Sequence, residues 1–290
     1  MKDDLIRFHN ISKTFKKGIL SEEFYALKSL NFSVKEEAVT GFLGANGAGK
    51  TTSLKILMNL ISQDSGEIQF GKGLGKTQKE IFSNIGYLPE RPYFYPHLTG
   101  RQFATYLGRI SDVEKGLIGE RLNSWATRFK LDHALDRLIN GYSKGMLQRL
   151  GFICALLHDP KLLILDEPLS GLDPVGRAEI KEIILELKKS GKSVFFSSHI
   201  VSDVEEVCSE AIIIEQGELA YEGKIEDLLE KHSHGEFVFE TSSGKRFEVM
   251  KENKDQKLNE LVEKGESITK IFQKRPTLEQ IIYHVGENRE

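Results

Sequence analysis

The stretch "AVTGFLGANGAGKTTSLKILMNLI", residues 38 to 61, constrains the fold more than any other part of this 290-residue chain. Its first seven residues are almost all apolar and read as a strand buried on both faces, whereas "SLKILMNLI" has helical periodicity. Three more buried-strand runs follow: "LLILD" (162–166), "SVFFSS" (193–198) and "AIIIE" (211–215). Before the second of these, "RAEIKEIILELKKSGK" places Ile180, Ile183, Ile184 and Leu187 on one helical face and stops at Gly191. This alternation predicts an α/β domain with a mainly parallel sheet.

The rest of the chain departs from that pattern in three places. An antiparallel β part is expected at the N-terminus. Residues from about 98 to 160 carry helical stretches and the sole tryptophan, Trp125, and read as a helical insertion. Beyond about residue 230 the composition turns charged, and "EFVFE" and "RFEVM" alternate on either side of "TSSGK" as a hairpin. Helices are expected around Leu258, Leu261 and Val262, and again from Thr277, where Gln280 completes a capping box ahead of Ile281 and Ile282. The predicted division is therefore a domain over 1–230 and a small α/β appendage over 231–290.

Charge and hydropathy narrow the function classes. A net charge of -3 gives no basic footprint for nucleic acid. No apolar run approaches the ~18 to 20 residues of a membrane span, and "MKDDLIRF" is not a secretory signal. Cytoplasmic residence is expected. Cys154 and Cys208 form no CxxC and read as core thiols.

Residues 44–52, "GANGAGKTT", match G-x-x-x-x-G-K-[ST] in the required strand-to-helix context. In such a loop the backbone N–H groups of Gly44, Ala45, Asn46, Gly47, Ala48 and Gly49 turn toward phosphates, and the helix N-terminus adds its dipole. Lys50 neutralises β- and γ-phosphate oxygens, Thr51 holds Mg²⁺, and Thr52 continues the helix start. A glycine-rich turn that binds nothing leaves Lys50 and Thr51 unexplained. The similar "GKGLGKT" (71–77) has Phe70 in place of the first glycine and is read as a hairpin loop. "KLLILDEP" (161–168) ends a buried strand in two carboxylates, which alternation sends in different directions. Asp166 fits a metal ligand and Glu167 the base that activates a water. "GYLPERPYFYPHLTG" (86–100) reads as a loop, with Tyr93, Phe94 and Tyr95 set between two prolines.

"YSKGMLQRL" (142–150), about 17 residues before the acidic strand, resembles the signature motif of ATP-binding-cassette (ABC) ATPases. The resemblance runs from residue 5 to about 230. It implies that Ser143 and Gly145 contact the γ-phosphate held by an opposite subunit. It implies further that Asp173 of "SGLDP" contacts that subunit, that His199 is the switch histidine, and that Phe15 stacks on adenine, with Phe24 and Tyr25 as competitors. Glu90 stands where the family carries a glutamine that touches Mg²⁺ or water, and remains a candidate metal and catalytic residue. Lys144 and Met146 replace the usual glycine and glutamine of the signature. The implied protein is an ATP- and Mg²⁺-dependent ATPase subunit, a homodimer around two ATP molecules. It would lie on the inner face of the cell membrane and drive a separate permease, for export, docked through loop 90–100 and the rings of Tyr93, Phe94 and Tyr95. The rivals are a soluble ABC ATPase of translation or DNA repair and a nucleotide-gated regulator of a membrane protein.

Overall fold

A computed structural model describes residues 3–16, 23–233, 235–274 and 276–287. The chain divides into two compact units between Glu222 and Gly223. The first begins with strands β1 (Asp4–Lys16), β2 (Glu23–Lys35) and β3 (Val39–Leu43), helix α1 (Lys50–Leu57), strand β4 (Ser65–Phe70), helix α2 (Gln78–Ser83) and strand β5 (Ile85–Leu88). Helices α3 (Gly100–Ile110), α4 (Lys115–Arg128) and α5 (Lys144–Leu156) follow as the helical insertion. The chain then returns through β6 (Leu162–Leu165), α6 (Pro174–Lys189), β7 (Ser193–Ser198), α7 (Val201–Val207), β8 (Glu210–Glu215) and β9 (Glu218–Lys224).

Six strands form the main sheet in the order β5-β6-β7-β3-β8-β9, and the pairings β5–β6, β6–β7, β7–β3 and β3–β8 are all parallel. Every residue of β3, β6 and β7 is buried, which is why these strands lack the inside-outside alternation of a half-exposed strand. β8 returns into β9 through Gln216 and Gly217, both at positive φ, the geometry of a tight two-residue hairpin. On α6, Ile180, Ile183, Ile184 and Leu187 are all buried, and Asp173 caps the helix by accepting from the Gly176 N–H at 3.0 Å.

A second, antiparallel sheet of order β2-β1-β4 supplies the other wall of the core. Phe8 stacks on Phe32 at 4.2 Å, Phe32 meets Phe42 at 5.4 Å, and Phe42 meets Phe195 at 5.3 Å, so a file of rings joins the two sheets. Each buried phenylalanine contributes about 1.5–3 kcal/mol.

Two sequence expectations are corrected here. Residues 86–88 are not loop but the end of β5, an edge strand of the main sheet; four residues are too few to show a period. "GKGLGKT" is not a hairpin loop. It leads from β4 into α2, where Thr77 and Glu80 form a capping box. The loop after β5 passes against α5 at Gly151, where a Cβ would lie 3.6 Å from Pro92 Cγ and 3.8 Å from Phe94 Cζ. Arg128 of α4 pairs with Glu186 of α6, while Lys130 and Arg149 share Glu179, tying the insertion to α6.

The second unit contains α8 (Ile225–Lys231), β10 (Glu236–Thr241), β11 (Arg246–Met250), α9 (Lys254–Glu263), β12 (Ile268–Gln273) and α10 (Leu278–Glu287). Its antiparallel sheet has the order β11-β10-β12. The expected hairpin is β10–β11, and Thr277 and Gln280 exchange the capping-box bonds at 2.9 and 3.3 Å. Strand β12 has four consecutive exposed residues and gave no alternation to read. Lys254 and Lys257 lie over the rings of Phe237 and Phe247 at 4.5 and 4.6 Å. Both cysteines are free thiols, and burial pushes Cys154 up to about 12. Among the described residues no helix is long and apolar enough to cross a membrane.

Candidate nucleotide site

The β3-to-α1 turn sits at the carboxyl end of a central strand, where open α/β sheets place ligand crevices. Gly49 adopts φ 110° at the start of α1, and a Cβ there would lie 2.7 Å from both the Ala26 carbonyl oxygen and Leu27 Cδ2. The turn is therefore closed to any other residue. The loop lines a cavity of about 450 Å³ together with Phe15, Phe24, Ala26, Glu90, Glu167, Ser170 and His199. Lys50 is almost fully buried; its Nζ donates to the Gly44 and Ala45 carbonyls at 2.6 and 3.3 Å and lies 3.5 Å from Glu167 Oε1.

The two acids point apart, but for a reason other than strand alternation. β6 ends at Leu165, so both follow the strand, and Glu167 occupies the left-handed region at φ 50°. Asp166, 1 % exposed, accepts from Ser197 Oγ at 2.7 Å and from Thr51 Oγ1 at 3.3 Å. Burial raises its pKa above the usual carboxylate value; the two hydroxyls oppose that rise, and the charges of Glu90 and Glu167 add to it. Glu167 instead turns to the cavity, where its Oε2 lies 2.9 Å from His199 Nδ1. Burial, helped by Asp166, pushes neighbouring Tyr87 up to about 12.

The chemistry of this donor set fits magnesium. Thr51 lines the cavity and Asp166 lies buried behind it, 3.3 Å from the Thr51 hydroxyl; one hydroxyl and one carboxylate leave the remaining octahedral positions to phosphate oxygens and water, the usual manner in which a hard, reluctantly dehydrated cation is held beside a nucleotide. Glu90 also lines the cavity, with its side chain 45 % exposed and Arg91 Nε 3.7 Å away.

Not every expected residue joins the cavity: Gly44, Ala48 and Asp166 do not line it. Phe15 and Phe24 are cross-strand partners on β1 and β2 and both line it, whereas Tyr25 faces a separate depression with Ser12 and Lys28. Ser143 caps α5 by accepting from the Met146 N–H at 3.3 Å and is exposed, as is Asp173; neither they nor Gly145 line the cavity. Of the three rings, Tyr93 is 81 % exposed and Tyr95 39 %, but Phe94 is buried against Phe103, with centroids 5.0 Å apart. Phe94 is thus part of the core of the insertion, not a free docking ring. Ser197 and Gln148 were not expected at the site, since only their spatial partners reveal them.

Residues 27–170 match the family model of ABC transporters. An ABC transporter ATP-binding protein of Synechocystis sp. is 40% identical over 78% of this chain, and the aligned part spans only 64% of that longer protein. YxlF of Bacillus subtilis, another ABC transporter ATP-binding protein, is 36% identical over 90% of this chain and 94% of its own length. The bacitracin transport ATP-binding protein BcrA of Bacillus licheniformis is 40% identical over 77% of this chain and 72% of its own. Among solved structures, an ATP-binding subunit of an ABC transporter superposes with a TM-score of 0.68 at 27% identity, over 78% of this chain and 92% of that one. CbiO1 from Clostridium perfringens, part of the complex CbiONQ, gives 0.66 at 25% identity, over 79% and 92%. With a relative aligned along nine-tenths of its length and a cassette fold around the glycine loop, this chain belongs to the ATP-binding proteins of ABC transporters, a family of cassette ATPases.

Proposed function

We propose that the chain hydrolyses ATP as the nucleotide-binding subunit of an exporter, two copies closing on two nucleotides and driving a separate membrane permease from its cytoplasmic side. The observation that carries this reading is the placement of Glu167 between Lys50 and His199 at the rim of the phosphate loop. Phe15, with Phe24 beside it, offers a flat face to adenine. The loop N–H groups and Lys50 bind the β- and γ-phosphates, Lys50 exchanging its present carbonyl partners for phosphate oxygens. Thr51 and Asp166 would hold Mg²⁺, with Glu90 at the same wall. Magnesium, when bound, neutralises charge on the phosphate oxygens. Glu167 accepts the proton of a water whose oxygen attacks the γ-phosphorus, and the bond from that phosphorus to the ADP oxygen breaks. His199 steadies the Glu167 carboxylate and reaches the γ-phosphate.

The exposed, capped end of α5 supports the dimer: Ser143 and Gly145 present free N–H groups outside their own cavity, suited to the phosphate of a second copy. The exposed Tyr93 and Tyr95, with Tyr106 6.2 Å from Tyr95, form an aromatic surface for a permease segment. A role in transport is supported by the name of BcrA, a bacitracin transport ATP-binding protein.

Glu167→Gln tests the reading. The variant is expected to keep ATP binding, to lose hydrolysis by at least about a hundredfold, and to accumulate an ATP-dependent homodimer on size exclusion. Near-normal turnover would exclude Glu167 as the base.

A further inference from the structure

Glu167 is held in its left-handed conformation from two sides by side chains outside the loop. On one side Ser197, the fifth residue of β7 and fully buried, accepts the Glu167 N–H at 2.8 Å while its own hydroxyl donates to Asp166 Oδ1 at 2.7 Å. One hydroxyl thereby fixes the peptide of one acid and the carboxylate of the other. On the other side Gln148, buried on the second turn of α5, donates Nε2–H to the Pro168 carbonyl at 3.0 Å. The same helix keeps the following turn close: a Cβ at Gly171 would lie 2.1 Å from Lys144 Nζ, and one at Gly145 would lie 3.6 Å from Leu172 Cδ2. A non-glycine residue at positive φ persists only where its surroundings over-determine it.

We infer that Ser197 and Gln148 are positioning residues for Glu167, which keep its carboxylate aimed into the cavity between Lys50 and His199. This rests on Glu167 being the base. The two residues act from opposite directions. Ser197 belongs to the rigid main sheet, so it ties Glu167 to the strand that leads to His199, two residues on. Gln148 belongs to the insertion, five residues after Ser143, so it ties Glu167 to the helix whose exposed end faces a second copy. A shift of α5 is therefore transmitted to Pro168, the residue after Glu167, through its carbonyl, and the carboxylate takes its productive aim only when both ties hold.

The test uses the full chain with Ser197→Ala and Gln148→Met, each alone, and with Gln148→Met combined with Glu167→Gln. Each single variant is expected to lower kcat roughly tenfold or more, since misplacing a reacting group by about an ångström costs on that order, with KM for ATP and the ATP-dependent dimer unchanged. In the Glu167→Gln background Gln148→Met is not expected to lower the residual rate further, because it acts through Glu167, whereas Ser197→Ala, which also frees the Asp166 carboxylate, is read in the parent background. Gln148→Glu adds a readout that a packing role would not move. Its carboxylate repels the Pro168 carbonyl when charged and donates to it when protonated, so its kcat relative to the parent protein should rise severalfold as pH falls from about 8 to about 6, the range into which burial lifts a carboxyl pKa. Single variants with kcat within twofold of the parent, loss of ATP binding equal to the loss of kcat, or a pH-independent Gln148→Glu ratio would overturn the inference. Should Ser197→Ala or Gln148→Met fail to fold, the Gln148→Glu ratio decides. A Glu167→Gln protein that still turns over normally would instead remove the base assignment beneath it.

Discussion

The φ of 50° at Glu167 makes its conformation a cost of roughly 1–2 kcal/mol that glycine would not bear. Glu167→Gly is therefore expected to abolish hydrolysis while melting no lower than the parent protein without nucleotide, the relief of strain offsetting the added freedom of the unfolded chain. Differential scanning calorimetry checks this; a fall of several degrees would mean that the left-handed backbone is unstrained and that the Lys50 and His199 contacts dominate. At this scale the sequence is a good guide where chemistry is written in consecutive residues. Lys50 and Thr51 stand out as the end of a glycine loop opening α1, and Asp166 and Glu167 because two carboxylates directly follow a buried strand. Ser197 and Gln148 do not stand out, because a serine in "SVFFSS" and a glutamine in a helix are ordinary until Asp166, Glu167 and Pro168 are placed beside them.

Elements were legible in proportion to their burial. β3, β6, β7 and β8 are apolar runs because helices or the second sheet cover both of their faces, and the fold class followed from them. The register shifts between β1 and β2 interrupt the period of two, so those strands announce a β part but not their limits. The loop after β5 shows the same limit differently: three adjacent aromatics look alike, yet the chain alternates and sends Phe94 inward under Gly151 while Tyr93 stays out. Phe94→Ala is accordingly expected to cost about 3–5 kcal/mol of folding stability. Tyr93→Ala should leave the melting temperature unchanged and weaken association with the permease. Thermal melts and detergent co-purification separate these outcomes, and a Phe94→Ala protein with an unaltered melt would show that its ring is not part of the core.

For the molecule as a whole, Ser143 and Gly145 do not line the nucleotide cavity of their own chain, which predicts complementation between copies. Ser143→Arg should bind ATP as a monomer yet hydrolyse little, and so should any copy limited to such partners. Mixed with excess Lys50→Ala protein, it is expected to regain part of its ATPase activity, because one composite site of the mixed dimer then has an intact loop and an intact α5 end. No recovery in mixed dimers demonstrated by cross-linking would count against shared sites. The order of the main sheet has a consequence in time. β3 lies at its centre, yet its parallel partner β7 enters some 155 residues later, Val39 pairing with Val194. At about 5–20 residues per second of synthesis, a five-residue strand with no polar face waits roughly ten to thirty seconds for its neighbour. During that interval the antiparallel strands β1, β2 and β4, all complete by residue 70, are already available to cover Phe42, whereas β5 and β6, also made before β7, do not pair with β3. The ring file from Phe8 through Phe32 to Phe42 thus doubles as a shelter for the nascent chain, and a defect there would show first as lost yield rather than lost activity.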